Sequence, residues 1–300
     1  MNKTIVGIAI CAVILVGLTG GSLASPSSPF FYHDLIWEDD FSGDKLDETK
    51  WYAMAGTGPE EGFPAFWGNA ERQYYKPQNA LLRDGNLVIR ICAEKFEGMP
   101  YTSARITTSD LFSFTYGRVE ARMKLPIDDV GLWPAMWLLP NGRPPNGSPA
   151  DTSTEENDAS PTWKYGGWAA SGELDCMEFK SRLPGEISGA AHFGGMWPAN
   201  TYAAGKYTFP EGQTAGDFHV YSLEWFPDKL IWFVDGQEYF RLEEWYTIFN
   251  NQMLGPPEPY DQLFCIILNV AVGGHFDGGL VPGEDFTEAE ALVDWVRVYQ

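Results

Sequence analysis

Three carboxylates lie within six residues of the chain, at Glu173, Asp175 and Glu178, and the residues between them include Leu174 and Met177. Because side chains alternate across a strand, Glu173 and Asp175 share one face while Leu174 points to the other. Glu178 has the wrong parity for that face unless a β-bulge at residues 176–177 adds one residue. The pattern therefore predicts a bulged strand with three carboxylates on one face.

Acid–base cleavage of glycosidic bonds needs such a face. In the retaining mechanism one carboxylate is the nucleophile and another is the general acid/base, roughly 5–5.5 Å away. A third carboxylate between them can hydrogen-bond one partner and help to separate the two pKa values. The alternative is an edge strand with solvated acids. It fits poorly, because the intervening apolar residues indicate that the opposite face is buried.

The elements that must position these acids are short strands. β-patterned runs separated by turn residues recur at residues 86–91, 117–125, 220–225, 230–234, 264–269 and 293–299. The pairs Asp84-Gly85 and Asp235-Gly236 are typical of hairpin turns. Helical periodicity is nearly absent, and only residues 242–249 suggest one short helical turn. Frequent strands without interleaved helices predict an all-β fold, a β-sandwich of two antiparallel sheets in one domain.

Residues 141–167 differ from the rest of the chain. They are rich in Pro, Gly, Ser, Asp and Glu and have no periodicity, so we expect a long solvated loop that leads into the acidic strand. Such a loop either walls a cleft or is a disordered insertion, and the sequence leaves both open.

The charge and the aromatic content limit the kind of ligand. The formal net charge of −21 excludes nucleic acid and anionic membrane surfaces as partners and suits a neutral ligand. Aromatic residues make up 15% of the chain, with 12 tryptophans. They suit both a large sandwich core and a cleft in which rings stack on sugars.

The N-terminus has the pattern of an export signal. Lys3 is followed by an apolar run over residues 5–18 and by a small-residue cleavage site at residues 22–24. We therefore expect a signal peptide over residues 1–24, a single domain over residues 25–300, and secretion. The apolar run is short for a membrane span, so we expect no membrane insertion of the mature chain, although an uncleaved anchor is the alternative.

The predicted mature chain keeps three cysteines, Cys92, Cys176 and Cys265. An odd number leaves at least one unpaired, and their spacing matches no zinc motif. We expect buried free thiols, because all three lie in strand-like apolar runs. A bridge between Cys92 and Cys265 is left open.

The flanks of the acidic strand resemble the signature of glycoside hydrolase family 16. Residues 168–178 (WAASGELDCME) have the bulged form that its laminarinases carry. The resemblance covers nearly the whole predicted mature chain, with further blocks at residues 37–41, 67–75, 101–106, 114–122, 131–137, 191–195, 269–274 and 294–300. It implies a jelly-roll sandwich with a concave substrate cleft.

The resemblance also implies residue roles. Glu173 would be the nucleophile, Glu178 the general acid/base and Asp175 the assisting carboxylate. His192 would lie near the acid/base and hydrogen-bond it or the sugar. The remaining positions that match the substrate-binding cleft of the family are Asn69, Glu71, Arg105, Trp133, Trp137, Trp168, Asn269 and Phe276.

Several of these positions have an alternative role or depart from the family. Trp133 could pack in the core, and Arg105 could serve a structural ion pair. Phe276 stands where family members commonly carry Trp, which implies a weaker or altered subsite.

A calcium ion is often bound on the convex face in this family. The matching positions are Asp40, the carbonyl of Gly85 and Asp294. Hard oxygen ligands from both ends of the chain would staple the sandwich, a role in stability rather than in chemistry. The carboxylate mechanism itself needs no cofactor.

Taken with its flanks, the motif predicts a secreted, monomeric, retaining endo-β-1,3-glucanase whose substrate is a β-glucan polysaccharide. The alternatives are mixed-linkage β-1,3-1,4-glucan or a galactan cleaved by the same machinery, and a β-glucan-binding recognition protein without hydrolytic activity. Transglycosylation shares the covalent intermediate and stays open.

Overall fold

The structure is a computed structural model that describes residues 30–142 and 163–300. The predicted signal peptide and most of the predicted loop at 141–167 lie outside the described residues.

Strands dominate the described part of the chain. The first nine strands in chain order are β1 (Leu35–Asp39), β2 (Tyr52–Ala53), β3 (Gln73–Tyr75), β4 (Ala80–Arg83), β5 (Asn86–Cys92), β6 (Tyr101–Ser103), β7 (Arg105–Thr107), β8 (Gly117–Lys124) and β9 (Leu132–Pro140). The next ten are β10 (Glu173–Glu178), β11 (Glu186–Gly194), β12 (Asn200–Thr208), β13 (His219–Trp225), β14 (Leu230–Val234), β15 (Gln237–Leu242), β16 (Thr247–Phe249), β17 (Gln252–Leu254), β18 (Phe264–Val272) and β19 (Glu288–Tyr299).

Helix is confined to short 3-10 segments at Pro59–Glu61, Ala65–Gly68, Pro77–Asn79 and His275–Asp277 within the described ranges. The helical turn predicted at residues 242–249 is wrong. Leu242 ends β15 and Thr247–Phe249 forms β16, because pairing with β17 and a bridge to β11 take up that segment.

The strands form two sheets. The front sheet has the order β17-β16-β11-β10-β9-β18-β7-β2, with β12 beside β11, so the acidic strand β10 lies near its centre. The back sheet has the order β15-β14-β13-β8-β19-β5-β6-β3, with β1 beside β19 and β4 beside β5. Pairing is antiparallel except for β3 with β6 and a single bridge between β11 and β16. The predicted sandwich of the jelly-roll type is confirmed.

One continuous core fills the space between the sheets. It contains Leu174 and Met177 from the front sheet and Leu223 and Trp232 from the back sheet, all fully buried. Full burial of one such apolar side chain contributes about 1.5–3 kcal/mol. The shared core ties the two sheets together, so the position of β10 depends on both.

Both predicted hairpin turns are present. Asp84 and Gly85 have φ angles of 53° and 71° between β4 and β5, and Asp235 and Gly236 have 50° and 76° between β14 and β15. Two successive left-handed residues match the twist of antiparallel strands.

Cys92, Cys176 and Cys265 are free thiols, so the Cys92–Cys265 bridge left open by the sequence is not formed. Cys176 and Cys265 are buried as predicted, while Cys92 is only partly buried. Among the described residues, no helix has the length and apolar character to span a membrane.

Candidate active site

Strand β10 contains the predicted bulge. Asp175 is opposite Ala190 and Glu178 is opposite Ser188, so β10 uses three residues where β11 uses two. The register against β9 shifts in the same place, between Asp175 and Met177. The bulge therefore lies at residues 176–177, where the parity argument requires it.

The bulge separates apolar from acidic side chains. Leu174, Cys176 and Met177 all belong to the core between the sheets. The carboxylates of Glu173, Asp175 and Glu178 contact residues of the opposite face instead. One strand thus has three apolar residues in the core and three acids on the open face.

An indole N–H holds each glutamate. Trp168 Nε1 donates to Glu173 Oε2 at 2.9 Å, and Trp133 Nε1 donates to Glu178 Oε1 at 3.1 Å. Donors of this kind fix a carboxylate while leaving its second oxygen available for chemistry. Trp133 accordingly belongs to the site and not to the core, the alternative that the sequence left open.

His192 contacts two of the three carboxylates, those of Glu173 and Asp175. It is opposite Glu173 in the register of β10 and β11. Its Nε2 lies 3.2 Å from Asp175 Oδ2 and 3.6 Å from Glu173 Oε1. Cross-strand pairing brings His192 to the Glu173 end of β10, and its charge also acts on Glu178, so it lies near both glutamates.

Burial raises the pKa of all three acids. The pKa of Glu173, of Asp175 and of Glu178 is raised to about 8 in each case, chiefly by burial. The charge of Asp175 adds to the rise at Glu173 and Glu178, whereas His192 opposes it at both. Each acid therefore resists ionisation, and ionisation of one opposes ionisation of its neighbours, which favours a protonated acid beside a carboxylate on one face.

Aromatic rings extend the site on both sides. Trp133 stacks on Phe276 with ring centroids 4.8 Å apart, and Lys180 Nζ lies 4.3 Å from the Phe276 ring centre. On the other side Trp168 packs against His192 and Trp197. Exposed ring faces of this kind suit stacking against pyranose rings.

A buried polar network lies beside the acids. Trp137 Nε1 donates to Asn269 Oδ1 at 2.7 Å, Asn269 Nδ2 donates to the Tyr75 hydroxyl at 3.0 Å, and that hydroxyl donates to Glu71 Oε2 at 3.1 Å. Gln73 Nε2 also donates to Glu71 Oε2. Glu71 and Asn269 were expected to reach into the cleft, but they are buried and bind protein groups.

Arg105 is likewise buried instead of projecting into the cleft. Its guanidinium lies 4.4 Å from the ring centre of Trp67 and 4.8 Å from those of Phe63 and Trp137. Asn69 is partly exposed, and its backbone carbonyl accepts a hydrogen bond from the backbone N–H of His275. Arg105 thus packs under the rings of Phe63, Trp67 and Trp137, and Asn69 is the most accessible of the polar positions matched at 69, 71, 105 and 269.

Comparison with family models and with known proteins points to one enzyme family. A model of glycosyl hydrolases family 16 matches residues 160–295, and a model of beta-glucan synthesis-associated proteins SKN1/KRE6/Sbg1 matches residues 63–154. The Beta-glucanase of Rhodothermus marinus is 35% identical over 96% of this chain and 92% of that protein. The chain belongs to glycosyl hydrolases family 16.

Two further proteins are similar to this chain over most of its length. The Glucan endo-1,3-beta-glucosidase A1 of Niallia circulans is 42% identical over 93% of this chain, which spans only 40% of that longer protein. The laminarinase catalytic domain from Thermotoga maritima superposes with a TM-score of 0.68 at 32% identity, covering 89% of this chain and 99% of that domain.

The family 16 calcium positions fit a metal ion only in part. The register of β19 brings Asp40, Gly85 and Asp294 close to the middle of β19, where its pairing changes from β5 to β1. Asp294 Oδ2, however, accepts a hydrogen bond from Arg122 Nη1 at 2.6 Å. A calcium ion would compete with that guanidinium, so calcium stays a prediction.

Glu173, Asp175 and His192 are the one group of three among the described residues that could offer ligands to a metal, with ligand atoms within 4.8 Å of one another. Family 16 hydrolysis needs no catalytic cofactor, and here His192 Nε2 contacts both carboxylates directly.

Sequence reasoning missed several residues of the site. Gln73 and Tyr75 share strand parity with Glu71, a signal that could have found them. Trp197 and Tyr202 are more than half exposed beside Trp168 and His192. No local pattern marks Tyr202, because it reaches the site only through its pairing with His192.

Proposed function

We propose that this chain is a secreted, retaining endo-β-1,3-glucanase that hydrolyses internal bonds of a neutral β-glucan. The single observation that carries the proposal is the bulge of β10, which gives Glu178 the same face as Glu173. The family 16 relatives support the reaction class. The acidic surface, with a net charge of −21, suits a neutral substrate.

The first half of the reaction forms a covalent intermediate. The Glu173 carboxylate attacks the anomeric carbon while Glu178 transfers its proton to the glycosidic oxygen, and the bond to the leaving sugar breaks. Trp168 holds one oxygen of Glu173, so the other is free to attack. Burial raises the pKa of Glu178 and so favours its protonated form, whereas the Trp168 hydrogen bond and the nearby His192 favour the ionised form of Glu173.

The second half consumes water. Glu178, now ionised, takes a proton from a water molecule, and the hydroxide adds to the anomeric carbon as the bond to Glu173 breaks. Two inversions give net retention. Asp175 and His192 lie against Glu173 and set its charge state without entering either bond change.

The proposal is tested with purified protein and three polysaccharides: laminarin, lichenan and agarose. We expect reducing ends from laminarin, with a mixture of oligosaccharides early in the time course, and a product that NMR shows to be the β-anomer first. Glucose alone from the start would contradict endo action. Cleavage of agarose without cleavage of laminarin would contradict the glucan specificity.

A matched pair of variants separates an enzyme from a binding protein. Glu173→Gln should abolish release of reducing ends while laminarin still retards the protein in affinity electrophoresis. Glu186→Gln, at a surface ion pair with Lys206, should leave both properties unchanged. A wild type that binds laminarin but releases no reducing ends would favour the recognition-protein alternative.

We further propose that residues 1–24 direct export and that the mature protein acts as a monomer. Mass spectrometry of protein from the culture medium should find a new N-terminus at residue 25. Size-exclusion chromatography should give the mass of one mature chain.

A further inference from the structure

The bulge in β10 removes regular strand pairing from part of the backbone that carries the acids. A bulge leaves one residue unpaired and disrupts the ladder around it. Here the disruption falls between Asp175 and Glu178, and therefore between the two glutamates whose relative direction the proposed chemistry depends on. Some contact outside the front-sheet ladder must fix the backbone there.

Trp232 makes such a contact from the opposite sheet. It lies in β14 of the back sheet, is fully buried, and donates from Nε1 to the backbone carbonyl of Asp175 at 2.8 Å. The hydrogen bond crosses the core and ends where the register shifts. Because an unsatisfied partner in an apolar core is unfavourable, the bond holds this carbonyl in one direction.

Gly189 provides the space for that contact. It lies in β11 opposite the bulge, between the partners of Asp175 and Glu178. A Cβ added at Gly189 would lie 2.6 Å from Trp232 Nε1 and 2.6 Å from the Tyr239 hydroxyl, closer than real Cβ atoms approach. Its φ is outside the left-handed region, so space, not backbone conformation, requires the glycine.

We propose that Trp232 and Gly189 are positioning residues for the general acid/base, because together they hold the bulge that turns Glu178 toward the face of Glu173. The inference rests on the proposed retaining function. Glu173 lies before the bulge, in regular pairing with His192, and Trp168 holds it separately. Loss of the Trp232 contact should therefore impair proton donation by Glu178 more than attack by Glu173.

Trp232→Phe tests this, with Trp225→Phe as its matched control. Both tryptophans are fully buried in neighbouring back-sheet strands, but Trp225 Nε1 has no hydrogen-bond partner within the described residues. Each variant loses a similar ring volume, and only Trp232→Phe loses a hydrogen bond. Any difference between them reports on the contact with Asp175.

The readout compares two leaving groups. Laminarin cleavage needs a proton from Glu178, whereas release of 2,4-dinitrophenolate from an aryl β-laminaribioside does not. We expect Trp232→Phe to lower kcat on laminarin by about 10–100-fold with little change in KM. The pre-steady-state burst of dinitrophenolate should change less than about 3-fold, and Trp225→Phe should change neither rate by more than that.

If Trp232→Phe does not fold, Gly189→Ala tests the same contact, because the added methyl group would displace the Trp232 indole. It should reproduce the selective loss on laminarin, while Gly185→Ala, where an added Cβ meets no neighbour within 4 Å, should not. Equal losses on both substrates, or no difference from the controls, would overturn the inference alone. A wild type without laminarin hydrolysis would overturn the proposed function itself, and the inference with it.

Discussion

His192 Nε2 lies 3.2 Å from Asp175 Oδ2, so a basic side chain of β11 faces the middle one of the three carboxylates on β10. The two residues act on the neighbouring glutamates with opposite signs. Asp175 raises the pKa of Glu173 and Glu178, and His192 lowers it. The pair therefore influences the protonation of the two proposed catalytic glutamates from the centre of the site.

Asp175→Asn should shift the pH–rate profile to lower pH. Burial, the main cause of the raised pKa of Glu173 and Glu178, would stay, but the repulsion from Asp175 would be lost. We expect both limbs of kcat/KM against pH to move toward acid, and kcat to fall about 10–100-fold because His192 loses its partner. A profile that stays in place or moves toward alkaline pH would show that Asp175 does not set these pKa values.

His192→Asn should shift the same profile in the opposite direction. Without the imidazole, the pKa of Glu173 and of Glu178 should rise further, so the acid limb should appear at higher pH. His219→Asn is the matched control, since His219 also pairs with a carboxylate, Asp235, at 2.6 Å. Equal shifts in both variants would mean that the effect is not specific to the site.

The acidic cluster should cost stability at alkaline pH. The pKa of Glu173 is about 8 in the folded protein against an ordinary value of 4.5, so the folded state binds more protons between these two values. The stabilising contribution of Glu173 is then fully present below pH 4.5 and is lost as the pH rises toward 8. Glu173→Gln removes this titration.

Urea unfolding of wild type and Glu173→Gln at about pH 4.5 and about pH 8.5 measures the effect. We expect the variant to gain about 1–3 kcal/mol relative to wild type between the two conditions, less than the full shift because the three acids share the site. A constant difference in unfolding free energy at both pH values would contradict the raised pKa.

Asn269→Ala should destabilise the protein and disturb the cleft together. The variant removes the acceptor of the Trp137 Nε1 hydrogen bond and the donor to the Tyr75 hydroxyl. Each lost buried hydrogen bond costs about 1–3 kcal/mol of folding stability. We expect a lower melting temperature and a higher KM for laminarin, because the Trp137 ring loses its orientation. Tyr75→Phe, which keeps the Trp137 contact, should lower the melting temperature but leave KM closer to wild type.

Much of the site could be predicted because strand parity is a local property. The positions of Glu173, Asp175 and Glu178 fix a bulge at residues 176–177, and the structure has it there. The Asp-Gly pairs fix two hairpins for the same reason, since their backbone preference lies within two residues. The residue blocks along the chain then indicate the family and its sandwich.

Other features could not be predicted from spacing. The partner of His192, the burial of Glu71, Arg105 and Asn269, and the contact from Trp232 to the bulge all join residues far apart in the chain. Whether a polar side chain reaches a cleft or is covered depends on the rings that pack over it, and here Phe63, Trp67 and Trp137 surround Arg105.

The sequence by itself therefore determined which residues can do the chemistry and on which face of their strand they stand, because alternation and turn geometry act over a few residues. Only the tertiary structure decided what surrounds them. Neighbouring strands of the front sheet brought side chains that cover Asp175 and Glu178 and partly cover Glu173, which raised the pKa of all three to about 8. The packing of the two sheets brought Trp232 across the core to the carbonyl of Asp175. Burial and cross-sheet contact are properties of the assembled sandwich, to which distant segments contribute together.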